Sequence, residues 1–354
     1  MAFTAPTRTL TFTAEDTANL DHYAMTDAQD QVYDVRPFLS LFFRSEVRAP
    51  GVPGYDQIDA ILRRLGARKP HVKTESGLRV EIPLSYGTAT NAQAFRYGDT
   101  LSTTIEEGLT RIESLWAFYT TYAALYQQTV WENSGPGAAL NRQKENIDLE
   151  MRGLGDLIGS HLVSTQGDVS GSQKFVPGLQ NTIDSTVSSG TLWGLSRSSP
   201  NTFWRNNIAT GGSFATGGLD FMRNMRYSCS ANGGALGPNL IISPSAVQGY
   251  GIKQLEGIHR VTDFSKDEGN DLSAPIIRYM GIPWIYDDDL PSGTQFWFQM
   301  DEVWAFKHGK AANYVEHPPS PNNALIAEQT RLATGLTWGI RRPDKFGRVS
   351  SITA

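Results

Sequence analysis

The stretch AALNRQKENIDLEMRGLGDLIGSHLVST, residues 138–165, decides the fold because it carries the clearest helical pattern in the chain. Its apolar residues recur at spacings of three, four or seven, which place side chains on one face of an α-helix. The apolar positions are Leu140, Ile147, Met151, Leu154, Ile158 and Leu162. The polar positions that face elsewhere are Asn146, Asp148, Glu150 and Arg152. The pattern predicts a long amphipathic helix, called the spine helix below.

Three glycines, Gly153, Gly155 and Gly159, lie toward the end of this stretch. A glycine inside a helix lowers its stability by up to ~1 kcal/mol relative to alanine. Their presence predicts that this end of the spine helix packs closely against another element.

The segments before the spine helix predict a buried helix and a hairpin. ESLWAFYTTYAALYQQTVW, residues 113–131, is dense in aromatic residues and is predicted to be a long buried helix. SGLRVEIPLSYG (76–87) alternates apolar and polar residues like a strand, and AFRYGDTLSTT (94–104) is predicted to return beside it. The apolar row is Leu78, Val80, Ile82 and Leu84. Because a two-stranded hairpin is marginal alone in water, we expect a neighbouring molecule to cover this row.

The N-terminal and C-terminal parts of the chain differ in their sequence patterns. Residues 1 to about 40 are polar and predict an extended arm, and YDQIDAILRRLG (55–66) predicts a short helix. From about residue 166, helical and strand-like segments alternate, which predicts a compact α+β domain. Within it, 217–232 is a predicted helix, PNLIIS is a short buried strand, and a second helix begins with Ser243 as its cap and Pro244 in its first turn.

Composition excludes several classes of protein. The chain has 354 residues, 40% of them hydrophobic and 19% charged, which is ordinary for a globular protein and too long for one small core. The net charge is −5 and the basic residues are scattered, so tight nucleic-acid binding is not expected. No apolar run reaches the ~20 residues that span a bilayer, and the N-terminal residues lack signal-peptide features. These features predict a cytoplasmic location and no membrane partner.

Catalytic motifs are absent from the sequence. It contains no phosphate-binding loop, no G-x-S-x-G elbow, no H-E-x-x-H and no dinucleotide-binding glycine pattern. Cys229 is the only cysteine and is read as a small buried thiol. The run Asp287, Asp288 and Asp289 is read as a turn, with a hard-cation site as the alternative. We therefore predict no catalytic, cofactor or metal residues, and a metal-dependent hydrolase stays as the less favoured alternative.

Three segments in their order along the chain resemble those of the major capsid proteins of tailed bacteriophages. LWGLSRSSPNTFWRN (192–206) is similar to the GG-I-D-R-S-x-x-x-W-W-R-N segment of one branch, although Trp193, Leu195 and Phe203 depart from it. LRVEIPLSYGTATNAQAFRYGDTLSTT (78–104) resembles the extended loop of that branch. YMGIPWIYDDDLPSGTQFWFQMDEVW (279–304) resembles the exit from its axial domain.

This resemblance implies an α+β, Hong Kong 97-like capsid fold with an N-terminal arm, an extended β-hairpin loop, a peripheral domain with the spine helix, and an axial domain. The implied boundaries are the arm at 1–45, a short helix and connection at 46–72, the extended hairpin loop (E-loop) at 73–104, the peripheral domain at 105–165, the axial domain at 166–300, and a return to the peripheral domain with the C-terminal segment at 301–354.

The resemblance also implies a structural role rather than an enzymatic one. Copies of the chain would form hexamers and pentamers of an icosahedral viral shell around double-stranded DNA, without gripping that DNA tightly. The implied partners are other copies of the chain, a portal protein, a separate scaffolding protein and possible decoration or cement proteins, with no cofactor. The location would be the virion capsid, assembled in the host cytoplasm. An encapsulin-like nanocompartment shell, which has the same fold, is the main alternative.

Contacts between subunits are predicted at the hairpin and at the segment Gly190–Asn206, read as a buried or intersubunit joint with Trp204 as its anchor. The candidates are Arg79, Glu81, Tyr86, Arg96, Tyr97, Trp193, Arg197, Trp204 and Arg205.

Overall fold

Two β-sheets and the spine helix organise the chain. The structure, a computed structural model, describes residues 18–20, 23, 32–33, 36–44, 59, 61–63, 71–85, 96, 109–126, 136–165, 167, 174–199, 201–231, 237–256, 277–311, 314–316 and 326–354. The α-helices in these ranges are α1 (Pro37–Phe43), α2 (Pro136–Val163), α3 (Leu179–Thr182), α4 (Phe214–Ala231) and α5 (Ser245–Glu256). Short 3-10 turns occur at Thr202–Trp204, Met300–Glu302 and Pro343–Lys345.

The strands pair into four groups. They are β1 (His71–Glu75), β2 (Arg79–Ser85), β3 (Leu109–Leu115), β4 (Ala117–Tyr126), β5 (Thr191–Leu192), β6 (Leu195–Ser196), β7 (Asn207–Ser213), β8 (Leu240–Ser243), β9 (Ile277–Tyr279), β10 (Ile282–Tyr286), β11 (Gln295–Phe298), β12 (Val303–His308), β13 (Tyr314–Glu316), β14 (Ile326–Ile340) and β15 (Gly347–Thr353). A five-stranded sheet has the order β1-β12-β14-β13, and β4 also pairs with β14. A six-stranded sheet has the order β7-β15-β11-β8-β10-β9, and β2-β3 and β5-β6 form separate ribbons.

The predicted spine helix is confirmed as α2, which has 28 residues. Five of its six predicted apolar residues are buried in the main core, and the side chain of Leu140 is outside the described set. The helix lies on the face of the five-stranded sheet that β4 and β14 share. Gln143 donates hydrogen bonds to the Ala123 carbonyl (3.3 Å) and to Thr330 Oγ1 (3.0 Å), which fix the helix across both strands.

The central strands β8 and β11 of the six-stranded sheet are buried on both faces. In β11, Phe296 and Phe298 join the main core, whereas Trp297 between them joins a second core under α4 and α5. Ile241 in β8 likewise points into the second core. The sequence of a strand that is covered on both faces is a nearly continuous run of apolar residues. This is why PNLIIS and QFWF carry no polar alternation.

The structure corrects the predicted helix at 113–131. Residues 109–115 and 117–126 are strands β3 and β4, and β4 alternates buried and exposed side chains. Among the described residues the partner of β2 is Leu109–Leu115, and the predicted return strand at 94–104 lies outside the described residues except for Arg96. Aromatic residues and threonine favour strands, and here ten residues of β4 pair with β14.

Two further corrections concern the arm and a helix cap. Residues Pro37–Phe43, which were assigned to an extended arm, form the buried helix α1. Of the predicted helix at 55–66, Asp59 and residues 61–63 are described and are helical. Ser243 does not cap α5, because its hydroxyl accepts a hydrogen bond from Trp284 Nε1 (2.8 Å). Asp288 Oδ1 instead accepts from the first amide of α5, at Ser245 (2.8 Å).

The end of the chain returns to both sheets. β12 and β14 lie in the five-stranded sheet, and the spine helix contacts β14 through the hydrogen bond of Gln143 with Thr330. β15 continues into the six-stranded sheet, where it lies between β7 and β11. The C-terminal strand is therefore an interior strand of that sheet.

Candidate functional site

The base of the predicted hairpin is the antiparallel ribbon of β2 and β3. Its register pairs Arg79 with Leu115 at one end and Ser85 with Leu109 at the other. Val80, Ile82 and Leu84 are buried in the main core of the same chain. The expectation that a neighbouring molecule must cover this row is therefore wrong for these three residues. Only Leu78 of the predicted row, 79% exposed, lacks such cover.

The ribbon lies over one end of the five-stranded sheet. Ser114 Oγ and Thr337 Oγ1 are 2.6 Å apart in a buried hydrogen bond, and the Glu113 amide donates to the Trp193 carbonyl at 3.1 Å. Gly339 allows this approach, because a Cβ there would lie 3.1 Å from Ile82 Cδ1. The base of the hairpin is thus fixed to the protomer that carries it.

The outer face of the ribbon carries alternating charges. Arg79 forms an ion pair with Glu113, and Arg111 lies 3.1 Å from Glu81 and 3.3 Å from Glu113. Cross-strand pairs of opposite charge stabilise a ribbon modestly, and exposed pairs contribute only about 0–1 kcal/mol each. Arg79 and Glu81 remain candidates for assembly contacts on this exposed face. Arg96 is also exposed.

Tyr86 and Tyr97, the other two hairpin candidates, lie outside the described residues.

The segment Gly190–Asn206 forms a buried joint inside the chain. Trp193 and Gly194 join β5 to β6 with φ angles of 49° and 78°, the two positive values of a type I′ turn. The Trp193 ring lies edge-on to Trp204 and Trp338, with centroid distances of 6.2 Å and 5.9 Å. Holding a tryptophan in a left-handed conformation costs about 1–2 kcal/mol, which the burial of its ring offsets.

The prediction of subunit contacts is therefore corrected for three of its candidates, Trp193, Arg197 and Trp204. All three are buried within the protomer, so they offer no side-chain surface to another subunit. Trp204 Nε1 donates to the Leu192 carbonyl (3.3 Å), and Arg197 donates to the Thr182 carbonyl. Arg205 is half-buried and donates from Nε to the Arg197 carbonyl (2.8 Å), so it remains a candidate at the edge of the joint.

An exposed aromatic row on β4 was missed by the sequence reading. Phe118, Tyr122 and Tyr126 point away from the spine helix and are exposed. Gly335 lies opposite Phe118 and Arg331 lies opposite Tyr122, with its guanidinium carbon 5.7 Å from the ring centroid. These three rings are spaced by four residues in AFYTTYAALY, an even spacing that places them on one face of a strand but also fits a helix.

The acidic run at 287–289 forms the predicted turn between β10 and β11. Asp287 is buried and accepts a hydrogen bond from the Phe38 amide (3.3 Å), and burial raises the pKa of its carboxyl. Asp288 caps α5, and Asp289 forms an ion pair with Arg36. Each carboxylate thus has a protein partner. Within the part of the chain that the structure describes, no three His, Cys, Asp or Glu side chains come together as a metal site.

Cys229 lies in the second core, beside Met225 and Asn207. Burial raises the pKa of its thiol to about 12. A thiol needs its thiolate form and access to react. The buried reading of Cys229 is therefore confirmed.

We expect the native protein to resist alkylation at Cys229 by iodoacetamide and to be modified at one site in denaturant. Mass spectrometry with and without guanidinium checks this. Modification of the native protein at the rate of the unfolded chain would contradict the burial of this thiol.

His161, in the last turn of the spine helix, joins three elements. Its Nδ1 lies 3.3 Å from the Tyr119 hydroxyl on β4, which also accepts from the Val176 amide at 3.0 Å. Its ring packs against Phe175 at a centroid distance of 4.0 Å, with the ring planes tilted by 40°. Burial lowers the pKa of His161 and raises that of Tyr119 to about 12, so the imidazole and the phenol pair as neutral groups near neutral pH.

We expect the His161 contribution to stability to be lost on acidification. Its folded-state pKa lies below the ordinary 6.5, so the unfolded chain binds more protons as the pH falls below that value. The His161 contribution to the free energy of unfolding should therefore fall as the pH is lowered from about 7 through the ordinary histidine pKa. Denaturant melts of wild type and His161→Gln at several pH values measure this, and an unchanged pH slope in the variant would contradict it.

No helix in the described ranges is long and apolar enough to cross a membrane.

Comparisons with known proteins identify the fold. No protein-family model matches the sequence, and no curated protein sequence matches it. Among solved structures, a chain of the cyanophage A-1(L) capsid asymmetric unit aligns with a TM-score of 0.58 at 13% identity and covers 88% of this chain and 97% of that one. A chain from the capsid of a native GTA particle aligns with a TM-score of 0.53 at 11% identity, covering 88% and 96%.

A third similar structure is the holo-SrpI encapsulin complex from Synechococcus elongatus PCC 7942, with a TM-score of 0.51, 11% identity and coverage of 86% and 92%. At these identities the likeness concerns the fold. The chain shares its α+β fold with the chains of these cyanophage and GTA capsids, as the resemblance in its sequence implied, and with the encapsulin chain.

Proposed function

We propose that this chain is the structural subunit of an icosahedral viral capsid, in which copies assemble as hexamers and pentamers around packaged double-stranded DNA. The observation that carries the proposal is the extent of the likeness, since the shared fold runs through 88% of this chain and 97% of the cyanophage capsid chain. The same fold leaves a charged ribbon face and the aromatic row of β4 exposed. Both are surfaces that other copies of the chain can contact in a closed shell.

The charge of the chain fits a container rather than a nucleic-acid-binding protein. A net charge of −5 on every copy disfavours tight binding of DNA phosphates, which allows the genome to leave. The proposed role is not enzymatic and needs no cofactor. Its proposed partners are other copies of the chain, a portal protein, a separate scaffolding protein and possible decoration or cement proteins. Its proposed location is the virion, after assembly in the host cytoplasm.

An encapsulin-like shell is the second candidate, and the observation that favours it is the alignment with the SrpI encapsulin complex. The two candidates differ in what the shell encloses. A viral capsid packages DNA, whereas a nanocompartment encloses a protein cargo.

Electron microscopy of the protein, expressed alone and together with the products of its neighbouring genes, tests the proposal. We expect closed particles of uniform size and, in particles from infected cells, DNA that resists nuclease. Particles that hold a protein cargo and no DNA would establish the encapsulin-like alternative. Monomers alone under every co-expression condition would overturn both.

A further inference from the structure

Arg36 connects the spine helix to the acidic turn of the six-stranded sheet. Its Nε lies 3.1 Å from Asp156 Oδ1 on α2, and its guanidinium also pairs with Asp289 in the turn between β10 and β11. The side chain of Arg36 is only 22% exposed, although both carboxylates are more accessible. One cation therefore bridges two elements that belong to different layers of the fold.

The stem of Arg36 crosses the spine helix at Gly159. Its Cγ would lie 3.1 Å from a Cβ at that position, and its Cδ would overlap it. Any larger residue at position 159 would displace the stem. The predicted close packing is therefore confirmed at Gly159, against Arg36, but not at Gly153, where an added Cβ would meet nothing within 4 Å.

Helix α1, which follows Arg36, makes the same connection with apolar groups. The Phe38 ring lies 5.8 Å from Phe298 at the end of β11, in the six-stranded sheet. The Phe42 ring lies 5.2 Å from Trp338 on β14, in the five-stranded sheet. The Phe38 amide also donates to the buried Asp287 carboxylate (3.3 Å). Residues 36–43 thus form a wedge that touches both sheets and the spine helix.

Exposed ion pairs add little to stability, and the apolar rings of α1 already anchor the wedge. The two pairs of Arg36 differ from most such pairs in that they bridge separate layers. Both pairs hold the spine helix and the turn of the six-stranded sheet to the same side chain.

We propose that Arg36 is a positioning residue that sets the relative orientation of the spine helix and the six-stranded sheet and, through it, the curvature of the shell. The second part rests on the proposed capsid function. In a shell of identical subunits, a closed particle forms only when the rotation between neighbours closes, and a change inside each subunit repeats at every contact. A small change in the angle between the spine helix and the six-stranded sheet is therefore expected to change the diameter of the particle.

The orientation of the spine helix relative to the six-stranded sheet can be probed in the unassembled subunit. Leu149 of α2 and Tyr227 of α4 are both exposed and can be replaced by cysteine for spin labelling. The two labels then report the distance between the spine helix and α4, which packs on the six-stranded sheet. The buried Cys229 should stay unlabelled in the folded protein. We expect a single narrow distance distribution in the otherwise wild-type protein and a broadened or shifted one with Arg36→Ala.

Two further variants separate the bridge from general effects of charge. Arg142→Ala removes an arginine from the same helix, but its ion pair with Glu145 stays within α2 (2.9 Å), so it should leave the distribution unchanged. Gly159→Ala keeps every charge and displaces the Arg36 stem, so it should reproduce the effect of Arg36→Ala. An unchanged distribution in both Arg36→Ala and Gly159→Ala, or an equal change in Arg142→Ala, would overturn the inference.

Particle diameter tests the step from angle to curvature. We expect Arg36→Ala and Gly159→Ala shells to differ from wild type in mean diameter or in the spread of diameters, while Arg142→Ala shells match it. An altered label distance with unchanged diameters would overturn the link to curvature. Failure of the wild-type protein to form shells would instead overturn the proposed function, and the label distances would still decide the role of Arg36.

Discussion

Replacing Leu154 with aspartate is expected to leave no folded soluble protein. Leu154 is 4% exposed on the face of the spine helix that packs on the five-stranded sheet. Truncating a buried leucine to alanine costs about 2–5 kcal/mol, and an unpaired carboxylate adds a desolvation cost to that loss. Because a typical protein is stable by only about 5–15 kcal/mol, the sum approaches the whole stability. Soluble yield and circular dichroism measure the effect.

Leu157 provides the matched control. It has the same side chain on the same helix, three positions later, but is 45% exposed. Leu157→Asp should therefore change the free energy of unfolding by no more than about 0.5 kcal/mol. Equal yields and melting temperatures for the two variants would contradict the burial assigned to Leu154.

The spine helix was predictable because its period is repeated many times. Five buried apolar residues spaced by three or four positions reinforce one another, and no other regular structure accommodates them. The strand β4 was not predictable in the same way. Its aromatic and alanine residues suit a buried helix or a strand, and the choice was made by pairing with β14, about two hundred residues later in the chain.

In the candidate site, too, the local sequence pattern predicted the strand, whereas burial of its side chains depends on residues far away in the chain. Alternation in residues 78–84 predicted strand β2, which the structure confirms. That Val80, Ile82 and Leu84 are covered by the same chain depends on Gly339 and Thr337, which come from the opposite end of the sequence. For Trp193 and Trp204, the sequence indicated two large rings in a loop. The packing of Trp193 between Trp204 and Trp338 depends on the three-dimensional arrangement.

Replacing residues 88–106 with a short Gly-Ser linker is expected to abolish closed shells while leaving a folded subunit. The strands keep their pairing because Ser85 and Leu109 are cross-strand partners, so a short turn can join them. The buried residues of β2 remain in the core. The replacement has to begin after β2, because one that began at residue 76 would remove this strand and unfold the chain. The removed segment includes about half of the extended loop at 73–104, where the resemblance in the sequence predicts contacts between subunits.

Size-exclusion chromatography, circular dichroism and electron microscopy read the two outcomes separately. Arg79→Glu is the control on the same hairpin, since it disturbs only an exposed ion pair with Glu113, worth about 0–1 kcal/mol. It should weaken assembly slightly and still yield particles, because one rim charge contributes little compared with the loss of a whole contact segment. Closed shells from the linker variant would show that assembly does not depend on the loop. Loss of its folded circular dichroism signal would instead show that residues 88–106 belong to the core of the protomer.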